Sequence, residues 1–115
     1  MTSKFLFMPR FERSVKQLKK QYRHITDDLA EALTSIEDNL SVGSVIPQDY
    51  MVRKLRVKSR DMRRGKSGGF RLLYKLSAED SQDTIVYLLF VYAKSDQEDV
   101  TSAQLKGLVE NLPDE

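Results

Sequence analysis

The chain has 115 residues and a net charge of +2, with 40% hydrophobic and 31% charged residues. This length suits one compact domain, which we expect to span residues 1–115, and the composition argues against general disorder. Cysteine is absent, so a disulfide scaffold, a thiol nucleophile and cysteine-ligated zinc are excluded. Because the sequence has neither a signal-peptide core nor an apolar run of membrane-spanning length, we expect a cytoplasmic protein without a membrane partner.

The first third of the chain predicts a strand and two amphipathic helices. The strand covers residues 4–8. Apolar residues then recur at helical spacing in two stretches that break near His24. The second helix has Thr26 or Asp27 as its predicted N-cap and Gly43 as its predicted stop. The two apolar stripes, which we expect to belong to a helical hairpin covering a sheet, are Phe11, Val15, Leu18 and Tyr22, then Ile25, Leu29, Leu33, Ile36 and Leu40.

The remaining chain predicts three strands and a third helix. A loop over residues 44–49 leads to two strands, and residues 84–92, which are apolar on both faces, predict a central strand. Ser95 and Glu98 have the spacing of a capping box, so a third helix is predicted from there toward Leu112. The order β-α-α-β-β-β-α indicates an α+β domain whose helices pack on a mainly antiparallel four-stranded sheet.

The charge of the chain is concentrated in residues 53–75. Ten basic residues and one acid, Asp61, give this segment a charge of +9, so the rest of the chain carries 2 − 9 = −7. Such a field attracts a polyanion. A solvated basic surface is the alternative interpretation. The ten basic residues are Arg53, Lys54, Arg56, Lys58, Arg60, Arg63, Arg64, Lys66, Arg71 and Lys75.

The basic residues of this segment follow the period of two strands. In residues 54–58 and 70–76 charged and apolar side chains alternate, and the glycine-rich residues 65–69 between them suit a hairpin loop. Pairing of the two strands places like charges side by side, which destabilises a sheet. This arrangement favours an anion-binding face over a merely solvated one.

Other sequence motifs do not predict a site. Gly65-Lys66-Ser67 resembles the end of a phosphate-binding P-loop, but position 60 is Arg and a strand rather than a helix is predicted to follow. The single histidine, His24, lies at a helix junction, so a histidine general base among the basic strands is not expected. No cluster has metal-ligand spacing, and neither a metal nor another cofactor is predicted. Lys94, at the end of the apolar strand, is either a surface lysine or part of the anion site.

Several of these residues together resemble a known family. The strand Lys54-Leu55-Arg56, the loop and strand over residues 65–74, and the strand ending in Tyr92-Ala93-Lys94 resemble the RelE/ParE toxin superfamily. Within it they are most similar to the HigB branch of RelE-type messenger-RNA interferases. The resemblance covers nearly the whole chain, and it implies a RelE-like fold and the toxin of a type II toxin–antitoxin system.

The resemblance also implies a reaction and a set of residues. Such toxins enter the ribosomal A site and cut translated mRNA by attack of the RNA 2′-hydroxyl on the adjacent phosphate, which inhibits translation. Basic residues suit this chemistry because the transition state gathers negative charge on phosphate oxygens. By position, the implied catalytic residues are Lys54, Arg56, Arg71 and Lys94, and the implied RNA-binding residues are Lys58, Arg60, Arg63, Arg64, Lys66 and Lys75.

The general acid and base are not identified by the resemblance. RelE has an arginine directly after the final lysine and a tyrosine further on, where this chain has Ser95 and Thr101. Tyr92, which is close to Lys94 in sequence, is a candidate acid/base or stacking group.

The resemblance implies partners and leaves alternative functions. An antitoxin, of HigA type with a helix-turn-helix domain, is expected to hold the toxin inactive, and the toxin would meet DNA only through it. The other expected partners are the ribosome and mRNA. One alternative is a ParE-like inhibitor of DNA gyrase. Another is a non-catalytic RNA- or ribosome-binding module, which would bind with a strong salt dependence and leave RNA uncut.

Overall fold

The computed structural model describes residues 4–47, 50–62, 68–77 and 84–112. Within these ranges three helices and five strands form an α+β fold, which confirms the predicted class. The elements are β1 Lys4–Phe7, α1 Pro9–Lys19, α2 Ile25–Asp38, β2 Ser44–Val45, β3 Arg53–Val57, β4 Phe70–Leu76, β5 Ile85–Ala93 and α3 Ser102–Glu110. None of the helices in these ranges is long and apolar enough to cross a membrane.

The strands form one sheet in the order β1-β5-β4-β3-β2. The predicted hairpin of β3 and β4 is confirmed, and β5 lies inside the sheet between β1 and β4. The predicted count of four strands is wrong for the described residues. Ser44 and Val45, which we had expected in a loop, pair antiparallel with Lys54 and Arg53 and add β2 at the edge. β1 pairs in parallel with β5, and the other neighbours are antiparallel.

The helical hairpin of α1 and α2 covers one face of the sheet, as predicted. Alternate residues of β4 point into this layer because successive side chains of a strand point to opposite faces. Phe70, Leu72, Tyr74 and Leu76 are all buried there. Phe70 meets the ring of Tyr22 edge to face, with the ring centroids 5.2 Å apart. Burial of these rings fixes which β4 residues face away from the helices, including Arg71.

The opposite face of the sheet is covered in part by α3. Leu105 and Leu108 of this helix are buried with Leu73 and Leu89 of the sheet. Leu73 pairs with Phe90 whereas Tyr74 pairs with Leu88, so the register shifts by one residue at this point. Such a bulge lets consecutive residues of a strand lie on the same side. The apolar composition of β5 on both faces is therefore explained by a helical layer on each side.

Three helix ends differ from the sequence predictions. α2 begins after His24 and ends at Asp38, before Gly43. Gly43 instead lies against the Tyr74 ring, where an added Cβ would come within 2.9 Å of a ring carbon, and its N–H donates to the Tyr74 hydroxyl over 2.9 Å. α3 starts after Thr101 because Thr101 and Gln104 form the capping box in place of Ser95 and Glu98. A serine or threonine three residues before a glutamine or glutamate occurs twice here, and the apolar contacts of α3 select the second.

Candidate functional site

The register of the central strands aligns the predicted catalytic residues. Arg56 of β3 lies opposite Arg71 of β4, and Arg71 lies opposite Tyr92 of β5. Residues directly opposite each other on neighbouring strands have their side chains on the same face of the sheet. Lys54 lies two residues from Arg56 and shares that face. The predicted juxtaposition of like charges is confirmed for Arg56 and Arg71.

Four cationic side chains line one cavity of about 440 Å³ at this face. We call it the four-cation cavity after Lys54, Arg56, Arg71 and Lys94. Its remaining wall consists of Val42, Ser44 and Leu55. The four residues implied as catalytic by the sequence resemblance are thus neighbours in the fold, although they come from two strands of a hairpin and the end of a third strand.

A glycine turn holds Arg71 and Lys94 in place. Gly68 and Gly69 both have positive φ, +72° and +70°, a region that favours glycine. The Nη1 group of Arg71 donates to the carbonyl oxygens of Gly68 and Phe70, over 2.6 and 3.2 Å. The backbone N–H of Lys94 donates to the Gly69 carbonyl over 3.0 Å. The turn therefore couples the start of β4 to the end of β5 at the cavity.

The cavity keeps an excess of positive charge. Lys54 Nζ donates to Oδ1 of Asp99 over 3.1 Å. The side chains of Arg56 and Lys94 have no ion pair or hydrogen bond with any residue that the structure describes. The Arg71 guanidinium donates to the neutral carbonyls of Gly68 and Phe70, and no carboxylate of the described residues pairs with it to balance its charge. Four cations facing one carboxylate form a site for a multiply charged anion.

Tyr92 lies beside Arg71 with its hydroxyl directed at Asp99. The hydroxyl donates to Asp99 Oδ1 over 3.5 Å. Burial, followed by the negative charge of Asp99, raises the pKa of Tyr92 to about 12. The phenol therefore keeps its proton at neutral pH and can act as a donor there. The residue is 4% exposed, so in this conformation its ring offers no open face on which a base could stack.

Asp99 joins Lys54 and Tyr92 at the edge of the cavity. Its Oδ1 also accepts the backbone N–H of Val100 over 2.8 Å. Although desolvation opposes ionisation, the Val100 N–H and the Lys54 ammonium hold the pKa of Asp99 below its usual value. The sequence reasoning missed this carboxylate because its link to Lys54 spans 45 residues. The available signal was an acid in the turn after a strand that ends in lysine, and Asp96 and Glu98 of the same turn share that signal.

The three predicted RNA-binding residues that the structure describes do not line the four-cation cavity. Arg60 pairs with Asp28 Oδ1 over 2.7 Å and with Glu31, both on α2, and so lies outside it. Lys75 donates to the carbonyl of Tyr50. Lys58 lines a second cavity, of about 570 Å³, whose wall includes Arg56. Arg63, Arg64 and Lys66 lie outside the described residues.

His24 and Thr101 have local roles in the fold. His24 is at the predicted helix junction, and its backbone N–H and ring Nδ1 both contact the Asp61 carboxylate at 2.7 Å. Asp61, the single acid of the basic segment, is thereby attached to the start of α2. The Thr101 hydroxyl accepts the backbone N–H of Gln104 over 3.0 Å, so Thr101 caps α3.

The contact between His24 and Asp61 predicts a pH dependence of stability. The hydrogen bond from His24 lowers the pKa of Asp61 below its ordinary value of 3.8. A carboxyl whose pKa is depressed on folding contributes stability that is present above the ordinary pKa and lost as the pH falls through the folded-state pKa. We expect Asp61→Asn to be less stable than the wild type at about pH 5 and the difference to shrink toward about pH 3. Urea unfolding across this range measures it, and a difference that stays constant or grows on acidification contradicts the assignment.

The arrangement as a whole suits a phosphodiester. Arginine guanidinium groups donate paired hydrogen bonds to phosphate oxygens, and lysine ammonium groups add point charges. Among the described residues no group of three or more histidine, cysteine, aspartate or glutamate residues could hold a metal ion. Comparison with known proteins finds no family model that matches the chain and no curated protein that matches it.

Proposed function

We propose that the chain is a ribosome-dependent endoribonuclease with a RelE-like fold, the toxin of a type II toxin–antitoxin system. The observation that carries the proposal is the convergence of Lys54, Arg56, Arg71 and Lys94 on one cavity. The excess of cations that lines the cavity also supports it, because transfer at a phosphate requires stabilisation of the negative charge that develops on the phosphate oxygens.

The proposed reaction breaks one P–O bond and forms another. The 2′-hydroxyl of a nucleotide loses its proton to solvent as its oxygen attacks the adjacent phosphorus. The 5′-oxygen of the next nucleotide leaves and takes up a proton from solvent, which produces a 2′,3′-cyclic phosphate and a 5′-hydroxyl. Negative charge grows on the non-bridging oxygens, where Arg56 and Arg71 donate hydrogen bonds and Lys54 and Lys94 add positive charge. Donors held in place before the reaction need no reorganisation in the transition state.

The cellular setting of the proposal follows from the same resemblance. In this proposal the protein acts in the cytoplasm on mRNA in the ribosomal A site. A cognate antitoxin, of HigA type with a helix-turn-helix domain, holds it inactive, and an acidic segment of the antitoxin suits the four-cation cavity by charge. Steric exclusion from the ribosome by an antitoxin bound on α1 and α2 is the alternative. Charge reversals in the cavity and on the helices, read out by complex formation, separate the two.

A single-atom change in the substrate tests the proposed chemistry. We expect mRNA with one 2′-deoxynucleotide at the mapped cleavage position to remain intact in a translating ribosome, because the nucleophile is missing. The same mRNA with the 2′-deoxynucleotide one position downstream is the matched control and should be cut. Cleavage of both substrates at the same bond contradicts attack by the 2′-hydroxyl. Binding to the ribosome without cleavage of any substrate would instead favour the non-catalytic binding module.

A further inference from the structure

Asp99 differs in position from every other carboxylate that the structure describes. It is the one among them that contacts a residue lining the four-cation cavity, through the 3.1 Å bond from Lys54 Nζ. It belongs to the segment between β5 and α3, whereas Lys54 belongs to β3. Its side chain is 62% exposed, whereas that of Lys54 is 32% exposed.

The Asp99 carboxylate is held by its own surroundings. Oδ1 accepts the Val100 N–H, and the backbone carbonyl of Asp99 accepts the side-chain amide of Gln97 over 2.9 Å. Gln97 also donates to Gln104 of α3 over 3.1 Å. The carboxylate is therefore fixed relative to α3 by hydrogen bonds that do not involve the cavity. A fixed acceptor that contacts two groups of the site can set the positions of both.

We infer that Asp99 is a positioning residue, which holds the Lys54 ammonium in the four-cation cavity at a cost in affinity for the anion. The inference rests on the proposed function for its effect on cleavage, although its effect on RNA binding does not depend on that function. The cost arises because Asp99 offsets the charge of Lys54 and repels a phosphate placed beside it. The gain arises because a flexible lysine side chain lies in one arrangement before the substrate enters.

The inference predicts opposite changes in binding and in rate for Asp99→Asn. The amide keeps an oxygen that accepts the Val100 N–H, so the turn should be retained while the charge is removed. We expect RNA to bind about two- to fivefold more tightly, the range of an exposed ion pair. The slope of log affinity against log salt should steepen by up to about 0.7, the value for one phosphate contact to a single strand. The rate constant of cleavage on the ribosome should fall roughly tenfold or more.

The binding measurement uses a fluorescently labelled RNA oligonucleotide in which every nucleotide is 2′-deoxy-2′-fluoro, so that it cannot be cut. Fluorescence anisotropy at several salt concentrations gives the affinity and the slope. The matched control is Asp96→Asn, which removes the same charge from the same turn. The Asp96 side chain has no hydrogen bond or ion pair with any residue that the structure describes. This control should change affinity less than Asp99→Asn does and leave the cleavage rate unchanged.

A second background shows whether Asp99 acts through Lys54. In a Lys54→Met protein the substitution Asp99→Asn should no longer tighten RNA binding, since the ammonium that it would release is absent. Equal tightening with and without Lys54, or equal tightening by Asp96→Asn, overturns the inference. Wild-type cleavage by the Asp99→Asn variant also overturns it. A wild-type protein that binds the RNA and never cuts mRNA contradicts the proposed function instead, and the binding results then still decide whether Asp99 restrains Lys54.

Discussion

Replacing Arg71 by alanine is expected to lower the rate of mRNA cleavage by a factor of roughly 10² to 10³ or more. Arg71 is the most central of the four cations, since it pairs with Arg56 on one side and with Tyr92 on the other. It is also buried, at 6% exposure, where its charge is screened less by water than a surface charge. Single-turnover cleavage of ribosome-bound mRNA measures the effect.

The loss of activity must be separated from a loss of structure. The guanidinium of Arg71 supports the glycine turn through the Gly68 and Phe70 carbonyls, so Arg71→Ala also costs about 1–3 kcal/mol of stability. Arg56→Ala provides the separate test because Arg56 is exposed and its side chain has no partner in the described part of the chain. It should reduce cleavage with an unchanged urea midpoint. Arg23→Ala removes an exposed arginine away from the cavity and should leave cleavage at the wild-type rate.

Full cleavage by the Arg71→Ala variant would show that the four-cation cavity is not the site of the reaction. A rate that falls in proportion to the unfolded fraction, with Arg56→Ala fully active, would assign Arg71 a structural role only. Arg71→Lys refines the result, because it keeps the charge and loses the planar two-pronged donor. We expect its rate to lie between those of the wild type and the alanine variant.

Gly69→Ala is expected to lower the free energy of unfolding by about 2–5 kcal/mol and to reduce cleavage with it. A Cβ at Gly69 would lie 2.2 Å from the carbonyl oxygen of Val57, which is backbone of the neighbouring strand and cannot rotate away. The residue also has a φ of +70°, which costs a residue with a Cβ about 1–2 kcal/mol. Overpacking adds a similar amount. The Gly69 carbonyl accepts the Lys94 N–H, so a shift of the Gly69 backbone would also move Lys94 at the four-cation cavity.

Gly107→Ala is the matched control for the same substitution. Gly107 lies within α3, and a Cβ there would meet nothing within 4 Å. Alanine should therefore stabilise the protein by about 0.5–1 kcal/mol through helix propensity. Urea unfolding of the two variants and the wild type measures both changes in the free energy of unfolding. Equal stability of Gly69→Ala and the wild type would show that the turn relaxes easily and does not fix the positions of Arg71 and Lys94.

Local patterns predicted the parts of the fold that depend on neighbours in sequence. The alternation in β4 predicted Phe70 and Leu72 on one face and Arg71 on the other. The structure confirms it, since Phe70 and Leu72 pack in the core under α1 and α2 whereas Arg71 lines the four-cation cavity. The all-apolar β5 was predicted as the central strand for the same reason. Both of its faces are covered, although β4 rather than β5 is the middle strand of the five. These predictions hold because periodicity reports which face of an element is buried.

Features that depend on distant contacts could not be predicted in this way. The two-residue β2 exists because Ser44 and Val45 meet β3, and such a short strand has no period to detect. The start of α3 was predicted at the wrong capping box because both boxes satisfy the local rule. In the site, the four cations could be selected by their resemblance to a family, whereas Asp99 could not. Asp99 contacts Lys54 only because the fold brings the segment after β5 close to β3, and the two residues are 45 positions apart in the sequence.

Addition of the purified protein to a reconstituted translation reaction, with mRNA ends mapped by primer extension, tests the central claim most directly. Parallel reactions omit ribosomes or contain the Arg71→Ala variant. The proposal predicts new mRNA ends only where ribosomes are translating and only with Arg71 present. Intact mRNA from a folded protein free of antitoxin would contradict it, and a DNA gyrase supercoiling assay would then test the ParE-like alternative.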